Sequence, residues 1–374
     1  MNFSISKEKL SQILYLTSTI AERRTTMPIL ANVNLTLDGN KLSVIATDLE
    51  ISLVGEAEAA VKAPGSITVG AKVLYDIVRD LPSDTVTLHV SKGQRLEIEA
   101  GQSRFRINGI SSDEFPSVVG TTLLNPIAVD ALKLYEMLDR TVFCVSLDET
   151  RYNINGVCVE MLASPSRNDS ATIRFVATDG HRLAMIDRPA EGLAFNESLI
   201  LPRKGIQELK KVLENKEGVV YVGVNEGFFT TQCENVTIGI RLIDGQFPDY
   251  KQVIPVETTT KIELPRNDFY AAVKRVSLVT TDKSKTIKFR IVNGNMVVSS
   301  SSPEYGEASE SLNVSQEGGD VTIGFSAKYV SDLLAAMSNA QTVTLKLNGE
   351  VGPGVFTGND DELYTCIVMP MRFE

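Results

Sequence analysis

Residues able to do covalent chemistry are few and scattered. Thr178-Asp179-Gly180-His181-Arg182 sets a carboxylate two residues from an imidazole, the makings of a general acid–base pair. No nucleophile motif such as G-x-S-x-G accompanies it, and His89 is the only other histidine. The segment reads better as a tight turn between strands, with His181 held structurally. Cys144, Cys158, Cys233 and Cys366 form no C-x-x-C pair, and scattered thiols with two histidines do not make a zinc set. Buried free thiols are expected instead. The sequence therefore predicts no catalytic residues, no metal and no cofactor.

Binding chemistry is better supplied. The chain carries 37 Lys and Arg against 47 Asp and Glu, a net charge of −10. That balance excludes a whole-surface nucleic-acid binder, which would be basic. It permits a local basic stripe that touches phosphates and ignores base sequence. At the other end, Val368-Met369-Pro370-Met371 is apolar yet terminal. Chain ends usually fray into solvent, so this run either packs or lines a site. No apolar run approaches the roughly 18 residues of a membrane helix, and the N-terminus lacks the apolar core of a secretory signal. A cytosolic protein with no membrane partner is expected.

The elements that must position these residues repeat six times. Short apolar strands open at Met1, Ser66, Pro126, Ser198, Lys261 and Asp320, roughly every 62 residues, the mark of a repeat architecture. Each leads into a one-sided helix with apolar residues at i, i+3, i+4 and i+7. The spacing predicts helices over 7–20, 71–81, 130–145, 203–213, 268–279 and 327–337. Segments such as 85–90, 95–100, 103–108, 296–300 and 342–347 alternate with period two and read as strands. Turn residues separate them, including Asp38-Gly39, Lys92-Gly93, Asn155-Gly156 and Asn293-Gly294. Phe115-Pro116 and Phe247-Pro248 close the second and fourth units. The units thus pair into three domains, 1–122, 123–257 and 258–374, in an α+β fold of β-α-β-β-β units.

Six like units fit either a ring or an arc. Six helices about 10 Å apart would enclose a hole only about 9 Å wide, whereas twelve would leave about 28 Å. A duplex whose major groove alone is about 12 Å wide needs the second. A DNA ring would therefore be a homodimer with two equal joints. On the repeat alone, a protein-interaction scaffold without DNA encirclement remains the alternative.

Several segments carry a specific resemblance. Phe175-Val176-Ala177-Thr178-Asp179-Gly180-His181-Arg182-Leu183-Ala184, Leu242-Ile243-Asp244-Gly245-Gln246-Phe247-Pro248-Asp249-Tyr250 and Val368-Met369-Pro370-Met371-Arg372-Phe373 resemble signatures of the bacterial DNA sliding clamps. Met27-Pro28-Ile29-Leu30, Ala46-Thr47-Asp48-Leu49-Glu50 and Leu201-Pro202-Arg203-Lys204-Gly205 are similar to further stretches of that family, in the same order along the chain. The resemblance implies a non-catalytic processivity factor. Its helices would line the inside of a ring and its sheets the outside.

It also implies site residues. A groove for short linear peptides of polymerase and clamp-loader subunits would be walled by Ile154, Thr178, Gly180, His181, Arg182, Leu183, Pro248, Val253, Tyr329, Val351, Val368, Met369, Pro370, Met371 and Arg372. Gln252, Ser326 and Pro353 differ from the residues common in the family around its rim. Duplex DNA would meet Arg24, Lys72, Arg79, Tyr152, Arg203 and Lys204. The dimer joint would bring Phe105 and Ile107 of one copy against Leu278 and Val279 of the other.

Overall fold

The computed structural model describes residues 1–21, 27–163, 170–191, 197–280 and 286–373. Arg24 lies outside the described residues. Six units follow one another. The first is β1 (Asn2–Ser6), α1 (Lys7–Ile20), β2 (Asn32–Asp38), β3 (Lys41–Thr47), β4 (Ile51–Glu58) and a short β5 (Ala60–Ala63). The second is β6 (Gly65–Gly70), α2 (Ala71–Asp80), β7 (Thr85–Ser91), β8 (Arg95–Ala100) and β9 (Ser103–Ile110). The third is β10 (Ile127–Asp130), α3 (Ala131–Val142), β11 (Gly156–Ala163), β12 (Ser170–Thr178) and β13 (Arg182–Glu191). The fourth is β14 (Leu199–Pro202), α4 (Arg203–Leu213), β15 (Val219–Asn225), β16 (Phe228–Cys233) and β17 (Val236–Arg241). The fifth is β18 (Thr260–Pro265), α5 (Arg266–Val276), β19 (Thr286–Val292), β20 (Asn295–Ser302), β21 (Gly306–Asn313) and a short β22 (Ser315–Glu317). The sixth is β23 (Val321–Ser326), α6 (Ala327–Ala336), β24 (Thr342–Leu347), β25 (Gly354–Gly358) and β26 (Asp361–Val368).

Each helix buries one apolar stripe, although in α3 Leu132, which the spacing places on that stripe, is 52% exposed and Met137 is buried with Leu134 and Leu138. In α1 the stripe is Leu10, Ile13, Leu14 and Ile20, and in α4 it is Ile206, Leu209, Val212 and Leu213. The third helix starts one residue later than its periodicity implies because Asp130 caps it, its side chain accepting from the Lys133 amide at 2.9 Å. It also ends earlier, at Val142, where Cys144 and Val145 turn back onto Thr141 and Val142. The fifth helix begins earlier, at Arg266, and its last turn tightens into a 3-10 segment, Ser277–Val279.

Strand pairing explains why units come in twos. The opening strand of each unit joins the sheet of its neighbour: β1 pairs with β7 and β6 with β2, β10 with β15 and β14 with β11, β18 with β24 and β23 with β19. A single unit therefore cannot complete its own sheet.

Two further pairings join successive pairs of units. β17 runs antiparallel to β4, with Ile238 opposite Leu53, and β26 runs antiparallel to β13, with Cys366 opposite Ala184. The helices pack side by side, α1 against α2 and α4, α3 against α4, α5 against α6. No helix among the described residues is long and apolar enough to cross a membrane.

Candidate functional site

The junction between the third and sixth units builds a cleft of about 290 Å³. Its position follows from the β13–β26 pairing, which sets the Thr178–Arg182 turn beside the C-terminal run. Within that turn, Thr178 Oγ1 accepts from the Gly180 amide at 3.1 Å and donates to the Arg182 carbonyl at 2.6 Å. Asp179 Oδ1 accepts from the amides of His181 and Arg182. Gly180 holds φ at +90°, a conformation in which a side chain would be strained. The Met369 amide then donates to the His181 carbonyl at 2.8 Å, extending the strand past Val368.

The cleft is lined by Ile154, Thr178, Gly180, His181, Arg182, Leu183, Pro248, Val253 and Met369, all predicted, and by Arg151, Asn153, Asp249, Tyr250 and Ile367, which were not. Its floor is a small apolar cluster of Cys158, Val176, Leu183, Tyr250 and Ile367, separate from the main core. The Tyr250 hydroxyl donates to Glu160 Oε2 at 2.7 Å, and burial pushes its pKa up to about 12.

Val368 falls on the other side of β26. It is 1% exposed and packs in the main core, so the strand's groove residue is its neighbour Ile367. Successive side chains of a strand face opposite ways, and an unbroken Ile367-Val368 run gives no sign of which is which. Val351 stands 87% exposed on the β24–β25 loop, outside the cleft lining. Pro370, Met371 and Arg372 lead away from it. The Met371 amide donates to the Gly324 carbonyl at 2.8 Å, and Lys288 Nζ lies 4.8 Å from the Phe373 ring. The tail is thus fastened to the sheet of the fifth and sixth units.

Tyr329 lines an adjoining cavity of about 720 Å³ that shares Arg151, His181 and Arg182 with the cleft. Its ring stacks on His181, centroids 6.4 Å apart. The Arg182 side chain is 7% exposed, and each of its three nitrogens makes a hydrogen bond. It donates to Asp179 Oδ2 at 3.0 Å, Asp332 Oδ2 at 2.7 Å and the Phe143 carbonyl at 2.7 Å, and packs 4.4 Å from the Tyr329 ring centroid. It serves as wall and brace for the cleft, with three of its five N–H donors committed within the chain.

Charge is segregated elsewhere in the chain. The six helices carry fourteen Lys and Arg against eight Asp and Glu. With 37 and 47 in the whole chain, 23 and 39 remain for strands and loops. The helix layer is net basic on a strongly acidic body. Lys72 and Arg79 lie on α2, Arg203 and Lys204 open α4, and Lys328 occupies the matching place on α6. Lys328 escaped the sequence reading because a lone lysine stands out only when the helices are superposed. Tyr152 is exposed on the turn after α3, against Gly245.

Among the described residues, β5, β10, β14, β21, β22 and β23 each end a sheet, and two eight-residue strands, β9 and β21, each leave most of one edge unpaired. β9 pairs with β8 throughout but with β6 only at Gly109 and Ile110. β21 pairs with β20 and is the last strand of its sheet. Phe105 on β9 is 42% exposed, and Leu278, beside β21, is 78% exposed; Ile107 and Val279 are half-buried.

Comparison with known proteins covers the whole chain. Models of the DNA polymerase III beta subunit match in order: the N-terminal domain over residues 1–119, the central domain over 128–249 and the C-terminal domain over 251–372. The beta sliding clamp of Pseudomonas putida is 35% identical over 380 residues, spanning 100% of both chains, and that of Caulobacter vibrioides 33% over 375, also spanning 100% of both. The crystal structure of the DNA polymerase III subunit beta from Pseudomonas aeruginosa superposes with a TM-score of 0.93 at 33% identity over 100% of each chain. A Bartonella birtlesii sliding clamp bound to griselimycin gives 0.93 at 30%, again over 100% of each. The chain belongs to the DNA polymerase III beta subunits, the bacterial beta sliding clamps, and is a non-enzymatic processivity factor that works with DNA and polymerase.

Proposed function

We propose that two copies of this chain close head to tail around duplex DNA, and that the cleft at the β13–β26 seam receives short linear peptides of the polymerase and clamp-loader subunits. The domains are 1–122, 123–257 and 258–374. The observation that carries the ring is a pairing rule between domains that β9 and β21 leave unfulfilled. Inside the chain, the last strand of the second domain (β17) completes the first, and the last strand of the third (β26) completes the second. By the same rule the last strand of the first domain, β9, needs a β21, and β21 is free in the third.

The chemistry of the two edges is complementary. β9 offers Arg104, Phe105, Arg106 and Ile107; β21 offers Glu307 and Glu310, with Leu278 and Val279 alongside. An edge left open is an aggregation hazard unless a partner covers it. A joint between unlike ends, repeated by a twofold axis, closes after two chains. The net-basic helix layer, including Lys72, Arg79, Arg203 and Lys204, then faces the duplex, and phosphate contacts hold it without reading sequence. Exposed Tyr152 and, from the family resemblance alone, Arg24 complete that reading.

The cleft suits a peptide with a Gln followed by spaced Leu and Phe residues. Its Leu183, Ile367, Val253 and Met369 walls take apolar side chains, and the flexible Met adapts to several partners. The deciding experiment loads the protein onto nicked circular DNA. Retention on the circle and loss after linearisation support encirclement. Equal retention on both forms means ordinary surface binding, and no retention on either points to a scaffold without DNA.

A further inference from the structure

Basic residues of the helix layer are tied to carboxylates of the same layer. Lys72 Nζ lies 2.5 Å from Asp76 Oδ1, while Arg79 is held mainly by its neighbour Asp80, at 3.1 and 3.3 Å, with Asp76 Oδ1 3.6 Å from its Nη1. Lys210 Nζ reaches from α4 to α3 and lies 2.5 Å from Asp139 Oδ1. Lys328 Nζ is 2.7 Å from Asp332 Oδ2. The arrangement recurs by position. The second residue of α2, α4 and α6 is a lysine in each case, and each has a carboxylate beside it: Asp76 and Asp332 on the same helix, and for Lys204 Asp48, just past β3.

Helix stability does not account for these pairs. In Lys72–Asp76 and Lys328–Asp332 the cation sits at i, in the first turn, and the carboxylate at i+4. That order opposes the helix dipole and is the weaker one for such pairs. Exposed ion pairs also add little to folding. What they do change is the field met by an approaching anion. A phosphate that nears Lys72 or Lys210 meets Asp76 or Asp139 within the same few ångströms.

We propose that Asp76 and Asp139 are built-in counterions. They partly neutralise Lys72 and Lys210 toward the phosphates of the encircled duplex. Contacts with DNA are thereby kept weak and interchangeable, so no register of the ring along the duplex becomes a trap. The inference rests on the reading that the helix layer faces DNA.

The test measures binding of the full-length protein to a short linear duplex by fluorescence anisotropy across a salt series. Asp76→Asn and Asp139→Asn should each tighten binding about fivefold and steepen the log–log salt slope by up to about 0.9. Lys72→Ala and Lys210→Ala should weaken binding. Glu317→Gln, on β22 and away from the helices, should change nothing. If the Asp variants bind no tighter while the Lys variants bind more weakly, the proposal is overturned and the DNA-facing reading stands. An equal gain from Glu317→Gln also overturns it, because net charge alone would then explain the effect. If neither lysine variant matters, the helix layer does not meet DNA and both fall.

Discussion

Arg182 Nη1 on β13 donates to Asp332 Oδ2 on α6 at 2.7 Å, a bond that ties the second domain to the third directly behind the cleft. The same guanidinium satisfies the Phe143 carbonyl just past the end of α3, one of the carbonyls a helix end leaves open. Position and chemistry thus converge on one side chain.

Arg182→Met should loosen this seam. Asp332 still reaches solvent, so the cost falls below that of a fully buried pair, at about 2–3 kcal/mol. Urea unfolding should show a lowered midpoint, and peptide affinity should fall with it. Arg182→Lys should recover only part of either, since one ammonium cannot serve Asp179, Asp332 and the Phe143 carbonyl in a planar fork. An unchanged midpoint in Arg182→Met would show that the seam does not depend on this bond.

Charge swapping should control assembly. Light scattering on the unaltered protein should give about twice the 40.8 kDa chain mass. The double variant Arg104→Glu/Arg106→Glu and the single variant Glu307→Arg should each weaken the dimer, because like charges then meet at both joints. Mixed together they should associate, one joint being native and the other reversed in both partners. Leu278→Asp should give folded monomers, a carboxylate being costly in an apolar joint. A Leu278→Asp protein that stays dimeric would place the joint elsewhere.

Groove and core should separate along β26. Met369→Ala and Val253→Ala should each cost about 1–2 kcal/mol of peptide affinity in calorimetry, with folding unchanged. Val368→Ala should instead destabilise folding, by about 2 kcal/mol. Substitution tests the cleft more cleanly than truncation, because the tail beyond Met369 is fastened to Gly324. Should Val368→Ala weaken peptide binding while folding holds, the facing of the strand is reversed.

The thiols should be inert. Burial raises Cys158 and Cys366 to about 12, and Cys144 is pushed up in the same direction by the same cause. The thiolate is the reactive form, so raised values leave the neutral thiol dominant up to alkaline pH. A thiol reagent at neutral pH should label these sites slowly in the folded protein and fully after denaturation. Rapid labelling of the native chain would contradict their burial.

Period and turn chemistry lie in the sequence itself, so the six helices, most strand positions and the pairing into domains were legible there. Helix ends moved where a side chain such as Asp130 took the capping role. The cleft was legible through motif resemblance, down to Gly180 and Met369, yet Ile367 and Tyr250 were missed. Long-range pairing is what the sequence withholds. No local pattern says that β6 joins β2, that β17 completes β4, or that β21 ends its sheet, because ladder hydrogen bonds are made by backbone atoms common to every residue. The same holds for Val368 and Ile367. Both are apolar, and only the register of β26 on β13 decides which one meets the core and which the cleft.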